Sequence, residues 1–364
     1  MTNRLKSALS LSLALMFALS LAGCALPSPV PADDGSPSVA SDFVPSSTST
    51  DQPSGSTSLV DVTDMAGNKV QLNAYPERIV VLDPGDCEIL FTIGAGATVV
   101  GRSITCDYPA EVNLLPYATA NGKNDPDVLM LREPQLVIMG PEDAADSKLV
   151  DALKNAGVAI VVTNVTDVNN LYGAITLLGA LTNHDTEAKA LVSELVTSIA
   201  AMQTKISAQS DTVYLELTPM AKGMTTYGGG NIFSSLLTLV GYHNEFEDQT
   251  GLLNVTQDQV VGRSPDIILT ATKEIESNTP DPNATPDPAA TPDADGTTPD
   301  ASSASISGPA EILSRSEWAT VDAVKNNRVY YIDPALITRA GPRIIDGINA
   351  LYTALYGRTQ PEFK

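Results

Sequence analysis

A chain of 364 residues with 21 Lys and Arg against 43 Asp and Glu carries a net charge of −22, which repels polyanions and excludes nucleic acid as a partner. Two histidines and three cysteines offer neither a convergent metal-ligand set nor a disulfide scaffold. Once the polar end segment is set aside, the remainder fits two ordinary domains.

Arg4 and Lys6 precede an apolar run from Ala8 to Leu21, too short for a membrane span and read as a secretory signal over residues 1–23. Leu21-Ala22-Gly23-Cys24 follows directly, in the position and composition of a lipobox, so Cys24 is expected to carry a lipid. A chance cysteine after an ordinary signal is the alternative. Residues 24–58 are Ser, Thr, Pro, Asp and Gly with little to bury, a disordered tether.

Strands are expected at Val60–Val62, Lys69–Leu72, Ile79–Leu82, Val99–Ser103, Leu136–Met139 and Ala159–Val162, with helices near 88–93, 127–131 and 143–156 between them. Strand and helix in this order predict a parallel open sheet with right-handed crossovers. Ligands of such sheets bind beyond the carboxyl ends of the strands, which places Asp83 to Glu88, Thr105 to Tyr108 and Gly140 to Asp143 at one rim. Cys87 and Cys106 share that rim in an oxidising compartment and could pair as a disulfide, or stay as two small buried thiols.

An uninterrupted helix is expected over Asp185–Ala208, with Ala188, Leu191, Val192, Leu195, Ile199, Met202 and Ile206 on one stripe. It would be about 36 Å long, and it interrupts the strand-helix alternation as a strut between two lobes would. One long core helix in a single domain is the alternative. After it, Thr212–Leu217, Ile267–Thr270 and Arg328–Ile332 read as strands, and 232–240 and 342–356 as helices. Tyr227-Gly228-Gly229-Gly230-Asn231 opens the first of these helices without a phosphate-loop lysine, which leaves a close approach of backbone to ligand or a flexible loop. Thr-Pro-Asp recurs from Thr279 to Thr298 within a low-complexity insertion, 277–307. The domains are therefore 59–184, the helix 185–208, and 209–357.

The run DMAGNKVQLNAYPERIVVLDPGDCEILFTIGAGATVVGRSITCDYP resembles the opening of the cobalamin- and ferric-siderophore-type substrate-binding proteins of ABC importers. LREPQLVIMG, VTQDQVVGRSPDIILT and DAVKNNRVYYID…TRAGPRIIDGINAL are similar to later blocks of that family, in the same order. The resemblance implies an α/β fold of two open parallel-sheet lobes joined by a single long rigid helix, with the ligand in the cleft between them. It implies a monomeric binding protein that is no enzyme, with no cofactor and no bound metal of its own. Its partners would be a small-molecule ligand, an ABC permease and its ATPase. The expected location is extracytoplasmic, held by lipid on Cys24.

Asp86, Cys87, Asp107, Tyr108, Tyr227, Gly229, Asn231, Trp318 and Arg339 are the candidate ligand contacts, each with core packing as the alternative. Tyr242 and Phe246 are further aromatic candidates, and Arg102 and Lys222 further cationic ones. Anionic ferric siderophores call for several cleft arginines or lysines, whereas a large, mostly neutral corrinoid suits aromatic and backbone contacts. A corrinoid is the first expectation and a ferric siderophore the second. Haem, with Tyr108 or Tyr227 as axial ligand, is a third, and a lipoprotein sensor is the rival outside transport. In the resembling family one acid on each lobe meets permease arginines. Aligning NDPDVLML and VTQDQVVGRSP puts Asp127 and Asp258 there, aspartate where glutamate is usual, with helix capping as the alternative.

Overall fold

The computed structural model describes residues 58–273 and 308–357. Cys24, the expected signal, nearly all of the tether and the Thr-Pro-Asp insertion lie outside them. In the first lobe the elements are β1 (Val60–Thr63), β2 (Lys69–Leu72), β3 (Ile79–Val81), α1 (Pro84–Thr92), β4 (Val99–Arg102), β5 (Thr119–Ala120) and β6 (Lys123–Asn124). There follow α2 (Pro126–Met130), β7 (Leu136–Met139), α3 (Pro141–Ala144), α4 (Ser147–Asn155), β8 (Ala159–Val162) and α5 (Val168–Thr182). From α6 (Asp185–Gln203) the chain enters β9 (Thr212–Glu216), β10 (Thr225–Tyr227), α7 (Ile232–Leu239), β11 (His243–Asn244), β12 (Leu252–Asn254) and α8 (Gln257–Arg263). The second lobe ends with β13 (Ile267–Thr270), α9 (Gly308–Ser314), α10 (Asp322–Lys325), β14 (Val329–Tyr331), α11 (Pro334–Thr338) and α12 (Ile344–Tyr356).

Each lobe has a four-stranded parallel sheet, in the order β4-β3-β7-β8 and β11-β9-β13-β14. Every residue of β3, β7 and β13 is buried, because helices cover both faces, so these strands are apolar runs rather than alternating ones. Three antiparallel ribbons accompany the sheets among the described residues, β1–β2 and β5–β6 in the first lobe and β10–β12 in the second.

The connecting helix is shorter than expected. α6 has 19 residues, about 28 Å, and Thr204–Asp211 leave it as irregular chain held by Tyr356, whose hydroxyl donates to Ser207 O at 3.0 Å. α6 is also not alone: α5, absent from the expected elements, packs antiparallel against it as the first arm of a helical hairpin. Asn183, at φ 61°, turns the chain between them. Their crossing is close at Gly179, where an added Cβ would lie 2.5 Å from the Cβ of Ala188. One expected helix, 143–156, is two, because Asp146 caps a new start by accepting from the N–H of Lys148 at 2.9 Å.

One hydrophobic cluster runs through both lobes. It takes in Ile79 and Ile138 of the first sheet, Leu178 and Leu195 of the hairpin, Leu215 and Leu269 of the second sheet, and Leu236 and Ile348 of α7 and α12. No helix of the described residues is long and apolar enough to cross a membrane.

Candidate functional site

The first-lobe rim is built by two βα turns. Asp83, between β3 and α1, caps the helix by accepting from the N–H groups of Gly85 and Asp86 at 2.8 and 3.2 Å, with Pro84 opening the helix. That turn sets Asp86, Cys87 and Glu88 at the start of α1, all of them buried. Arg102, the buried last residue of β4, folds the loop that follows by donating to Leu115 O at 3.2 Å and Cys106 O at 2.5 Å, with its guanidinium 4.3 Å from the Tyr117 ring. Asp107 and Tyr108 are left exposed. In the second lobe, Arg339 ends α11 and Arg343 begins α12.

These two rims meet. Arg339 forms a bidentate pair with Asp107, through Nη1 to Oδ1 and through Nη2 to Oδ2 at 3.0 Å. Arg343 pairs with Glu88, Nε to Oε2 at 3.0 Å and Nη2 to Oε1 at 2.5 Å. The Arg343 guanidinium also stacks 4.0 Å from the Tyr108 ring. The backbones approach as closely as glycine permits: a Cβ on Gly85 would lie 2.5 Å from Ala340 O, and one on Gly341 2.7 Å from Glu88 Oε2.

The charges follow from this geometry. The Arg339 hydrogen bond holds the Asp107 carboxyl below the usual carboxylate range, and both arginines are pushed up by their carboxylate partners, Asp107 and Glu88. Burial, then the neighbouring Asp83, pushes Asp86 well up, against a 2.5 Å hydrogen bond donated by the Thr163 hydroxyl. Burial raises Asp143 as well.

Asp107, Tyr108 and Arg339 are thus brought together, with Glu88 and Arg343 beside them. Arg343 was not expected, although it stands four residues after Arg339 in the same TRAGPR segment. Trp318 is a correction: it is fully buried in a separate core cluster with Tyr214 and Phe246, and touches no cleft. Tyr242 and Phe246 are buried too, the Tyr242 hydroxyl donating to Leu355 O at 3.2 Å. These three rings bury their large apolar area in the core of the second lobe, whereas Tyr108 stays in water at the rim. Cys87 is wholly buried and cannot reach a ligand in the cleft. Of the two alternatives for Cys87 and Cys106, the disulfide is not formed: both are free, buried thiols, the Cys106 thiol raised chiefly by its contact with Cys87.

Gly228 and Gly229 serve the lobe itself. A Cβ would lie 2.4 Å from Gln249 O at the first and 2.7 Å from Glu247 O at the second, and their N–H groups bond to Gly251 O and Gln249 O. Asn231 caps α7 and donates to Gly228 O at 2.7 Å. Tyr227 is half-buried at the end of β10, and burial, with the charge of Glu142 across the rims, raises its hydroxyl. Gly229 and Asn231 line a side cavity of about 600 Å³ that also includes Thr166 and Asp167 of the first lobe. Arg102 holds its own loop, and Lys222 is exposed at the end of a short 3-10 turn. Among the described residues no group of histidines, cysteines and acids could hold a metal ion.

Comparison with known proteins adds three findings. A family model described as periplasmic binding protein matches residues 79–336. An uncharacterized ABC transporter substrate-binding lipoprotein of Bacillus subtilis, YvrC, is 26% identical over 309 residues, 83% of this chain and 87% of the relative. Two solved structures from Vibrio cholerae share the fold. The periplasmic vitamin B12 binding protein BtuF has a TM-score of 0.61 at 19% identity, covering 78% of this chain and 97% of its own. The periplasmic haem binding protein HutB has 0.59 at 18%, covering 77% and 99%.

Proposed function

This chain belongs to the periplasmic binding protein family, and from that premise we propose that it is a lipid-anchored substrate-binding protein that captures a corrinoid and delivers it to an ABC permease. The fold cannot choose the ligand, since neighbours of equal likeness are named for vitamin B12 and for haem. Charge supports the choice. Both arginines of the second-lobe rim are already matched, Arg339 by Asp107 and Arg343 by Glu88. Glu142 adds a further exposed acid to the opposite rim, beside Asp83 and Asp143, whose carboxyls burial raises. An anionic ferric siderophore would have to displace carboxylates from both cations and then face the acid surplus. A large ligand of little net charge meets no such repulsion, and Tyr108 and Tyr227 offer it ring and hydroxyl surface.

Chain beginning at Gly55 should bind cyanocobalamin at micromolar affinity or better in a calorimetric titration. Calorimetry is the readout because Trp318, the single tryptophan, is sealed in the core and would report weakly. Silence with cyanocobalamin and heat with a ferric siderophore or haemin would move the assignment to that ligand.

Delivery requires docking through both lobes. Asp127 and Asp258 are exposed, each the second residue of a short helix, α2 and α8, one helix per lobe. Asp127→Arg with Asp258→Arg should leave ligand affinity within about twofold, because neither residue lies at the matched rims, while uptake falls at least tenfold. Normal uptake by the double variant would remove the docking role. Lipidation of Cys24 is read from the lipobox, and palmitate labelling lost in Cys24→Ala tests it.

A further inference from the structure

Among the described residues the large apolar side chains that stand furthest into water are Leu114, Leu131 and Leu252, at 87%, 71% and 61% exposure. A single exposed leucine means nothing, since every surface has some. Two of these three, however, repeat one local arrangement. In each lobe an antiparallel ribbon, β5–β6 or β10–β12, leads within two residues into a short helix whose second residue is an exposed aspartate. In the first lobe Leu131 is the C-cap of α2, four residues after Asp127 and on the same helix face. In the second lobe Leu252 opens β12, the ribbon strand that feeds α8 and Asp258. Leu253 packs against the core cluster, so strand alternation turns Leu252 to the other side of the ribbon. Each lobe therefore presents one bare leucine and one solvated carboxylate on the same ribbon-helix unit.

We infer that Leu131 and Leu252 are the apolar anchors of the permease-docking surface, paired with Asp127 and Asp258. This inference rests on the docking role proposed above. Interfaces take most of their energy from a few desolvated apolar anchors, while rim charges set encounter and register. The complementary partner is a membrane protein that offers, in each of its two halves, a basic side chain beside an apolar socket. A lipid surface is disfavoured as the occupant, because a chain of net charge −22 is repelled by anionic headgroups.

The test is photo-cross-linking in cells, using the full-length chain with p-benzoylphenylalanine at position 131 and, separately, at 252. Both positions are expected to label one and the same polytopic membrane protein, identified by mass spectrometry, at sites in its two halves. Leu131→Ser with Leu252→Ser should keep the thermal midpoint of the parent and lower uptake at least tenfold. Adducts to lipid, to a second copy of the chain or to unrelated proteins would overturn the inference, as would no adduct or undiminished uptake. In a background of Asp127→Arg and Asp258→Arg the adducts should vanish. If they persist there, the leucine anchors stand and the acid pair falls. The cyanocobalamin titration remains a separate readout, so a wrong ligand and a wrong docking surface are told apart.

Discussion

Glu88 lies with its side chain 2% exposed and has Arg343, itself 20% exposed, as counter-ion across the lobe boundary. Removing one partner of a buried pair costs far more than the pair contributes, because the other charge stays desolvated. Arg343→Ala should therefore destabilise by about 3 kcal/mol in urea unfolding. Glu88→Gln should cost less, since water still reaches Arg343; equal losses would mean that the burial of Glu88 is not what matters. Asp107 is paired as well but half in water, so Asp107→Asn should change stability little. Its lowered carboxyl contributes only above the unfolded value and loses that contribution as pH falls through the folded one. Asp86 has the opposite sign. Its raised carboxyl favours the native state below the unfolded value near 3.8, and this is lost as pH rises through the folded value. The thermal midpoint of Asp86→Asn should gain on the parent between pH 4 and pH 7, and a constant difference would count against a strained Asp86 charge. Thiol titration of denatured, unreduced protein should find Cys87 and Cys106 both reactive.

At the level of elements, the α5–α6 hairpin depends on Gly179, where a side chain would run into Ala188 and the His184 carbonyl. Gly179→Val should cost about 1–3 kcal/mol by overpacking, whereas Gly173→Ala, in open space on the same helix, should be neutral or mildly stabilising. This hairpin also shows where sequence reading stops. Strands such as Leu136–Met139 and Ile267–Thr270 were legible to the residue, because burial on both faces leaves a nearly continuous apolar run, and the edge strand Ala159–Val162 was legible because all four of its residues are apolar. α5 was missed because its sequence, VNNLYGAITLLGALT, is apolar nearly all round and carries two glycines, so it shows no stripe. The far end of α6 was overextended because the apolar spacing continues to Ile206, which packs outside the helix. At the site, charge and chain order brought Asp107, Tyr108 and Arg339 into view. The burial of Trp318 and the partnering of Arg343 with Glu88 depend on long-range packing that no local pattern carries.

For the molecule as a whole, the lobes are joined by helices and by core rather than by strand hinges, so ligand should move them by a modest rotation. X-ray scattering of free and loaded protein should give nearly the same radius of gyration; a wide-open free form would count against this. The hydrophobic cluster that threads both sheets through α5 and α6 has a thermodynamic consequence. Neither sheet can melt without stripping apolar surface from the other, so the two halves should denature as one cooperative unit. A calorimeter should record a single endotherm with calorimetric and van't Hoff enthalpies in agreement. A fragment ending at Gln203 should remain molten, since Leu195, Ile199 and Met202 would lose the neighbours that bury them.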